Sequence, residues 1–164
     1  MPRGAGHNEV MDVTAELDAR CEPPALFAHV EDLSSYPDWL AVVPSVEVAD
    51  RDEEDPGPAW SVELRGRVGP FARSKRLRMV RTEHEVPSRV VFERREVDGR
   101  RHAPWKLVAS VRALDTGSRL SMSLHYGGSF GGTRLRQLLE EEIDAARVRL
   151  AALAEQRSAG GDGR

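Results

Sequence analysis

The chain has 164 residues and one cysteine, Cys21. No intrachain disulfide can form, so the fold does not depend on an oxidising compartment. Cys21 has no evident base beside it and reads as structural or surface. No apolar run reaches the ~20 residues that a membrane-spanning helix needs. The opening MPRGAGHNEV lacks the apolar stretch of a secretory signal, so a cytoplasmic protein is expected. Lysine is nearly missing: Lys75 and Lys106 are the only two, and arginine supplies the remaining strong bases. The histidines, His7, His29, His84, His102 and His125, never fall at HxH or HExxH spacing, so neither a metal site nor a cofactor is expected. There is no GxSxG, no phosphate-binding loop and no dinucleotide fingerprint. The glycines of GGSFGG (127–132) read as a junction, because no strand, Gly-loop and helix unit with a lysine follows them.

What is present fits one ordinary domain. Hydrophobic residues make up 40% and charged residues 31%, typical of a globular chain. The net charge of −3 hides a division. Residues 1–58 carry 3 Arg/Lys against 14 Asp/Glu, and residues 65–101 carry 12 against 5. A basic segment can meet nucleic acid or an anionic lipid. It can equally pair with the acidic part of its own fold, as charge runs usually do.

Hydrophobic periodicity lays out the elements. Residues 10–17 alternate loosely as a strand. Pro23 and Pro24 start a helix, where a missing N–H is harmless, and Leu26, Phe27, Val30 and Leu33 recur at helical spacing. Ser34 or Ser35 can cap a second short turn carrying Tyr36, Trp39 and Leu40. An extended stretch (42–48) and the acidic loop RDEEDPGP (51–58) follow. Alternating runs come next at 59–68, 71–84, 89–97, 105–114 and 119–126, separated by turn signals at Gly69-Pro70, EVPS, Asp98-Gly99 and a three- to four-residue turn with Gly117. Leu135, Leu139, Ile143, Ala146, Leu150 and Leu153 then form one apolar stripe on a helix over 133–156, with a disordered tail expected at 157–164 and a disordered start at 1–9.

Each strand has a single apolar face, as in an antiparallel sheet that is wet on one side. The expected class is α+β: a curved antiparallel sheet of six to seven strands around one long C-terminal helix, with two short helices after the first strand. Such a grip leaves an internal cavity between sheet and helix. On its wall the period of two aligns Trp60 with Leu64, Trp105 with Leu107, and Tyr126 with Leu120, Met122 and Leu124. Leu77 and Met79 share a side with Arg73, Lys75 and Arg81. His125 should face out, as should a strip of Arg65, Arg67, Arg76 and Arg78. Tyr126 and, more weakly, Arg73 are the candidate proton-transfer groups, since a buried phenol could polarise a ligand carbonyl.

The stretch PPALFAHVEDLSSYPDW, through Phe27, Val30, Asp32, Tyr36, Pro37 and Trp39, resembles the START-like (SRPBCC, Bet v 1-like) superfamily, which includes the polyketide cyclase/dehydrase group. The resemblance covers residues 10–156 and implies the helix-grip fold, with the two short helices over the concave face and Tyr36, Trp39 and Leu40 as lid and wall. The candidate ligand-binding set becomes Tyr36, Trp39, Trp60, Leu64, Leu77, Met79, Phe92, Trp105, Leu107, Leu124 and Tyr126. One fold hosts many functions, and three readings stay open. The first is a carrier of a hydrophobic small molecule such as a lipid, isoprenoid or polyketide. The second is a polyketide cyclase or dehydratase. The third is a quinone-binding or ribosome-associated relative, to which the basic hairpin lends some support.

Overall fold

The computed structural model describes residues 11–68, 71–127 and 132–161, and the side chains of 12–66, 74–127 and 136–156. Seven strands form one antiparallel sheet: β1 (Met11–Ala19), β2 (Ser45–Ala49), β3 (Ala59–Val68), β4 (Phe71–Glu85), β5 (Arg89–Arg94), β6 (Trp105–Leu114) and β7 (Gly117–Tyr126). Their order is β1-β7-β6-β5-β4-β3-β2, so consecutive strands pair from β2 to β7 and β1 closes beside β7. Among the described residues two α-helices accompany the sheet, α1 (Pro23–Phe27) and α2 (Gly132–Gly161). Helix α2 thus continues past residue 156. The Gly69-Pro70 turn, residues 1–9 and most of GGSFGG lie outside the described residues, as do the side chains of Arg67, Arg73 and Leu135.

Alternation decides which face each strand buries. Trp60, Val62 and Leu64 of β3, Leu77 and Met79 of β4, Val90 and Phe92 of β5, and Trp105, Ala109 and Val111 of β6 all enter the main core. From α2, Ala146, Leu150 and Ala154 are buried against it, with Leu138, Leu139, Ile143 and Leu153 partly so. Gly66 allows the helix to sit close, because a Cβ there would run into the Leu138 side chain.

The segment after β1 departs from the single amphipathic helix its spacing suggests. α1 stops at Phe27, and a 3-10 helix spans Leu33–Asp38. The cause is Asp32, held extended at φ −129 and ψ 121, whose carboxylate accepts from the Ser34 N–H at 2.8 Å. The cap is therefore Asp32 and not Ser34 or Ser35. Leu26, Phe27, Val30 and Leu33 are buried all the same. The β6–β7 hairpin is also tighter than its turn signal suggested: Leu114 pairs with Gly117, leaving two residues between them.

The acidic loop 51–58 folds back onto the convex side of the sheet. Ala59, Val80 and Val91 face that side, and all three are buried. A Cβ on Gly57 would meet the Arg81 carbonyl oxygen, so the loop approaches β4 as only glycine allows. The expectation of an exposed arginine strip fails at its centre. The Arg78 side chain is 10% exposed and pairs with Asp55, 4% exposed, at 2.6 Å. It also donates to the carbonyls of Asp50 and Arg95. Arg65 pairs with Glu63, and Arg76 donates to Ser61. The acidic and basic segments of the sequence thus meet inside the fold at Asp55 and Arg78.

Candidate functional site

A cavity of about 170 Å³ lies between the sheet, the 3-10 segment and α2. Its walls come from both halves of the sheet: Val13 and Leu17 of β1, Val62 and Leu64 of β3, Leu120, Met122 and Leu124 of β7. Helix α2 adds Leu139, Ile143, Ala146 and Leu150. Among the described residues, charged groups reach the wall only at the seam between β1 and α2, where Glu16 and Arg147 stand at the surface.

Of the residues singled out by sequence, Tyr36, Trp39, Leu64, Leu77, Met79, Trp105, Leu107 and Leu124 line this cavity. Trp60 and Phe92 do not. They stand behind the wall, edge to face with each other at 5.6 Å, and Phe92 meets Tyr36 in the same way at 6.3 Å. Tyr126 also lies off the lining, stacked on Trp105 at 5.0 Å between ring centroids. The Arg73 side chain lies outside the described residues.

The lid residues are firmly held. The Tyr36 hydroxyl donates to the Val30 carbonyl at 3.0 Å, and Trp39 Nε1 donates to the His29 carbonyl at 3.1 Å. Their rings pack at 4.7 Å. Arg81, read from its phase as inward, donates to the Glu31 carbonyl at 2.9 Å and lies over Trp60. His84 pairs with the Glu31 carboxylate at 2.8 Å. Two side chains of β4 therefore clasp the start of the lid. Burial pushes the Tyr36 phenol far above its ordinary value, which fits a proton donor fixed to a carbonyl.

One end of the inner face is polar, and the sequence reading passed over it. Met79 pairs with Arg94 across β4 and β5. Glu93 pairs with Lys106, so the next residues along, Arg94 and Trp105, stand side by side. Trp105 in turn pairs with Tyr126. Arg94 is only 8% exposed and donates to Glu96 at 2.8 Å, with further bonds to the Ala103 carbonyl and His102. Its phase was readable, because Arg94 shares parity with Val90 and Phe92. Lys75 belongs to the same neighbourhood: burial holds its ammonium below the ordinary value, and Arg94 adds repulsion. Tyr126 Oη and Trp105 Nε1 are buried without a hydrogen-bond partner among the described residues. Burial raises the Tyr126 phenol above its ordinary value, so it remains protonated at neutral pH. His125 faces out, as expected, and bonds to Asp12 at 2.7 Å.

An antiparallel sheet gripping a long helix around an apolar cavity is the helix-grip architecture of the START/Bet v 1 superfamily. The chain belongs to the family described as polyketide cyclase / dehydrase and lipid transport, whose model matches residues 11–155. No curated protein sequence matches it. Among solved structures, it resembles the Zhui aromatase/cyclase from Streptomyces sp. R1128, with a TM-score of 0.63 at 14% identity, covering 95% of this chain and 100% of that one. It is similar to a START superfamily protein from Mycobacterium smegmatis, with a TM-score of 0.63 at 14% identity, covering 90% and 97%. A protein of Thermus thermophilus gives a TM-score of 0.64 at 19% identity, covering 93% and 100%. At these identities the likeness concerns the fold. Among the described residues no helix is long and apolar enough to cross a membrane, and no cluster of ligating side chains could hold a metal ion.

Proposed function

We propose that the protein is a cytoplasmic binder or carrier of a compact hydrophobic molecule held between the sheet and α2. The observation that carries this reading is the cavity itself, about 170 Å³ and almost wholly apolar. An empty apolar cavity of ~150 Å³ stays dry and takes up benzene, whereas sites for drug-sized ligands measure about 300–1,000 Å³. One or two rings, or a short isoprenoid, match the space. A longer lipid or polyketide chain requires Trp39 and Leu40, or α2, to move outward.

Naphthalene should quench tryptophan fluorescence through Trp39 and Trp105 and should raise the melting temperature. Anything that binds only the folded state stabilises it, by about 2.7 kcal/mol at free ligand a hundredfold above its dissociation constant. Ala146→Leu, which fills the space from the helix side, should abolish that shift while leaving the chain folded. An unchanged melting temperature in the parent at saturating naphthalene would defeat the binding reading. Native mass spectrometry of the freshly purified protein reports directly what it carries.

A second reading, a cyclase or dehydratase, follows from the family's description; its candidate proton donor, Tyr126, stacks on Trp105 off the cavity lining and reaches a ligand oxygen only if that wall shifts. Turnover of a poly-β-ketone that vanishes in Tyr126→Phe while binding persists would favour it over the carrier. The ribosome-associated reading has lost much of its basis, since Arg78 is occupied by Asp55.

A further inference from the structure

We infer that the outer face of β1, β7 and β6, on the side of the sheet away from the cavity, is the contact surface of a weak symmetric dimer, so that its partner is a second copy of this chain. The register sets the outward side chains of these strands in rows. The end rows are charged: Asp12, His125 and Lys106 form one, and Asp18, Arg119 and Arg112 the other. The two rows between them are small: Thr14, Ser123 and Val108, then Glu16, Ser121 and Ser110. Every member of the four rows is exposed or half-buried. The small side chains leave a shallow depression between the charged rows. Read down the strands instead, the acids of this face, Asp12, Glu16 and Asp18, all stand on β1, and β6 carries the bases Lys106 and Arg112.

Symmetry selects the arrangement. Two copies of one sheet face packed on each other are related by a twofold axis lying between them. An axis across the strands would set β1 on β1, acid against acid. An axis along β7 sets β1 of each copy on β6 of the other. Asp12 then faces Lys106 of the second copy, Asp18 faces Arg112, and Thr14 meets Val108, each twice by symmetry. On the axis β7 meets its own image, which calls for groups that tolerate themselves. Ser121 and Ser123 are small, and a hydroxyl both donates and accepts, so two identical ones can bond to each other. Arg119 comes to the axis with its charge already matched by Asp18, at 2.7 and 3.0 Å. Three strands about 4.8 Å apart, over seven residues of about 3.4 Å each, bury on the order of 800 Å² in total when doubled, below the usual range of stable pairs. The dimer is therefore weak and depends on its charges, which salt screens.

Sedimentation velocity on the full chain, over a concentration series up to about 0.5 mM at low and at high salt, reads the monomer–dimer equilibrium. The parent should dimerise with rising concentration at low salt, and high salt should weaken the dimer at least tenfold. Lys106→Glu and Asp12→Lys should each weaken it more than tenfold, by setting like charges opposite each other. Both residues are exposed, so both variants should melt like the parent. Mixed one to one, the two variants should recover the dimer. Asp12 of one copy then faces Lys106 of the other, and the introduced lysine faces the introduced glutamate. Loss of folding in either variant could not produce that recovery. A parent that stays monomeric throughout the low-salt series overturns the proposal. So does a dimer that neither variant weakens, or a mixture of the variants that stays monomeric.

Discussion

A chain lacking residues 133–164 is expected to show no cooperative unfolding transition. Helix α2 places Leu138, Leu139, Ile143, Leu150 and Leu153 against the sheet, and Ala146 and Ala154 beneath them. Burying a leucine or isoleucine fully is worth about 1.5–3 kcal/mol, and partial burial less. Five such side chains therefore contribute on the order of 10 kcal/mol, the scale of an entire domain's stability. Their loss also exposes the inner faces of β1, β3 and β7 to water. The expected readout is a sloping thermal melt with strong binding of an apolar dye. Point changes grade the same effect. Leu150→Ala, at a buried position, should cost about 2–5 kcal/mol. Leu139→Ala and Ile143→Ala should cost less, because both are only partly buried and border existing space. A truncated chain that still melts cooperatively would contradict the helix-grip reading of α2.

How far the sequence carried this result depends on the kind of signal. The strands of the sheet were legible because a period of two survives any tertiary context: Trp60, Val62 and Leu64 turn inward as their alternation requires. The stripe on α2 was legible for the same reason at a longer period. Six of the proposed cavity residues, Leu64, Leu77, Met79, Trp105, Leu107 and Leu124, line the space where their inward strand phase puts them; Tyr36 and Trp39, which the resemblance put on the lid, line it too. Phase does not tell depth, however. Trp60 and Phe92 point inward yet stand one layer behind the wall, since the Tyr36 ring packs over Phe92. Tyr126 is inward too, but it stacks on Trp105 and lies off the lining. Arg94 was missed although its parity was visible, because a charged residue on an inward position reads as the end of a strand until its partner, Glu96, is seen. The Asp32 cap was missed because the helical spacing of Leu26, Phe27, Val30 and Leu33 is satisfied equally well by two short helices with a break between them.

Breaking the Asp55–Arg78 pair is expected to have the largest effect of any single change on the convex side of the sheet. The Asp55 carboxylate accepts from both terminal nitrogens of Arg78, at 2.6 and 3.3 Å, and from the Asp52 N–H at 2.8 Å. At 10% and 4% side-chain exposure the pair is nearly out of solvent. Removing one partner of a buried ion pair typically costs about 3–5 kcal/mol, because the other charge stays buried without compensation. Arg78→Gln should reach that range, leaving the carboxylate with only the Asp52 N–H. Asp55→Ala should fall near its lower end, since Arg78 keeps the carbonyls of Asp50 and Arg95. The pair also sets an acid limb. The hydrogen bonds from Arg78 hold the Asp55 carboxyl below its ordinary value of 3.8. The folded state therefore binds that proton less readily than the unfolded chain does. The stabilisation is complete above about pH 4–5 and is lost as pH falls through the folded value. Denaturant titrations at pH 7 and pH 3 separate the two effects. The parent should lose stability between them, while Asp55→Asn should start lower and lose less. Because the loop that carries Asp55 lies on β4 through Gly57 and Pro58, on the face where Ala59 and Val80 are buried, its release should also expose apolar surface remote from the cavity. Naphthalene binding at pH 7 should then persist in the variants under conditions where they remain folded. A change of under 1 kcal/mol for Arg78→Gln would mean that the loop docks on Gly57 and its apolar neighbours alone, with the ion pair adding nothing.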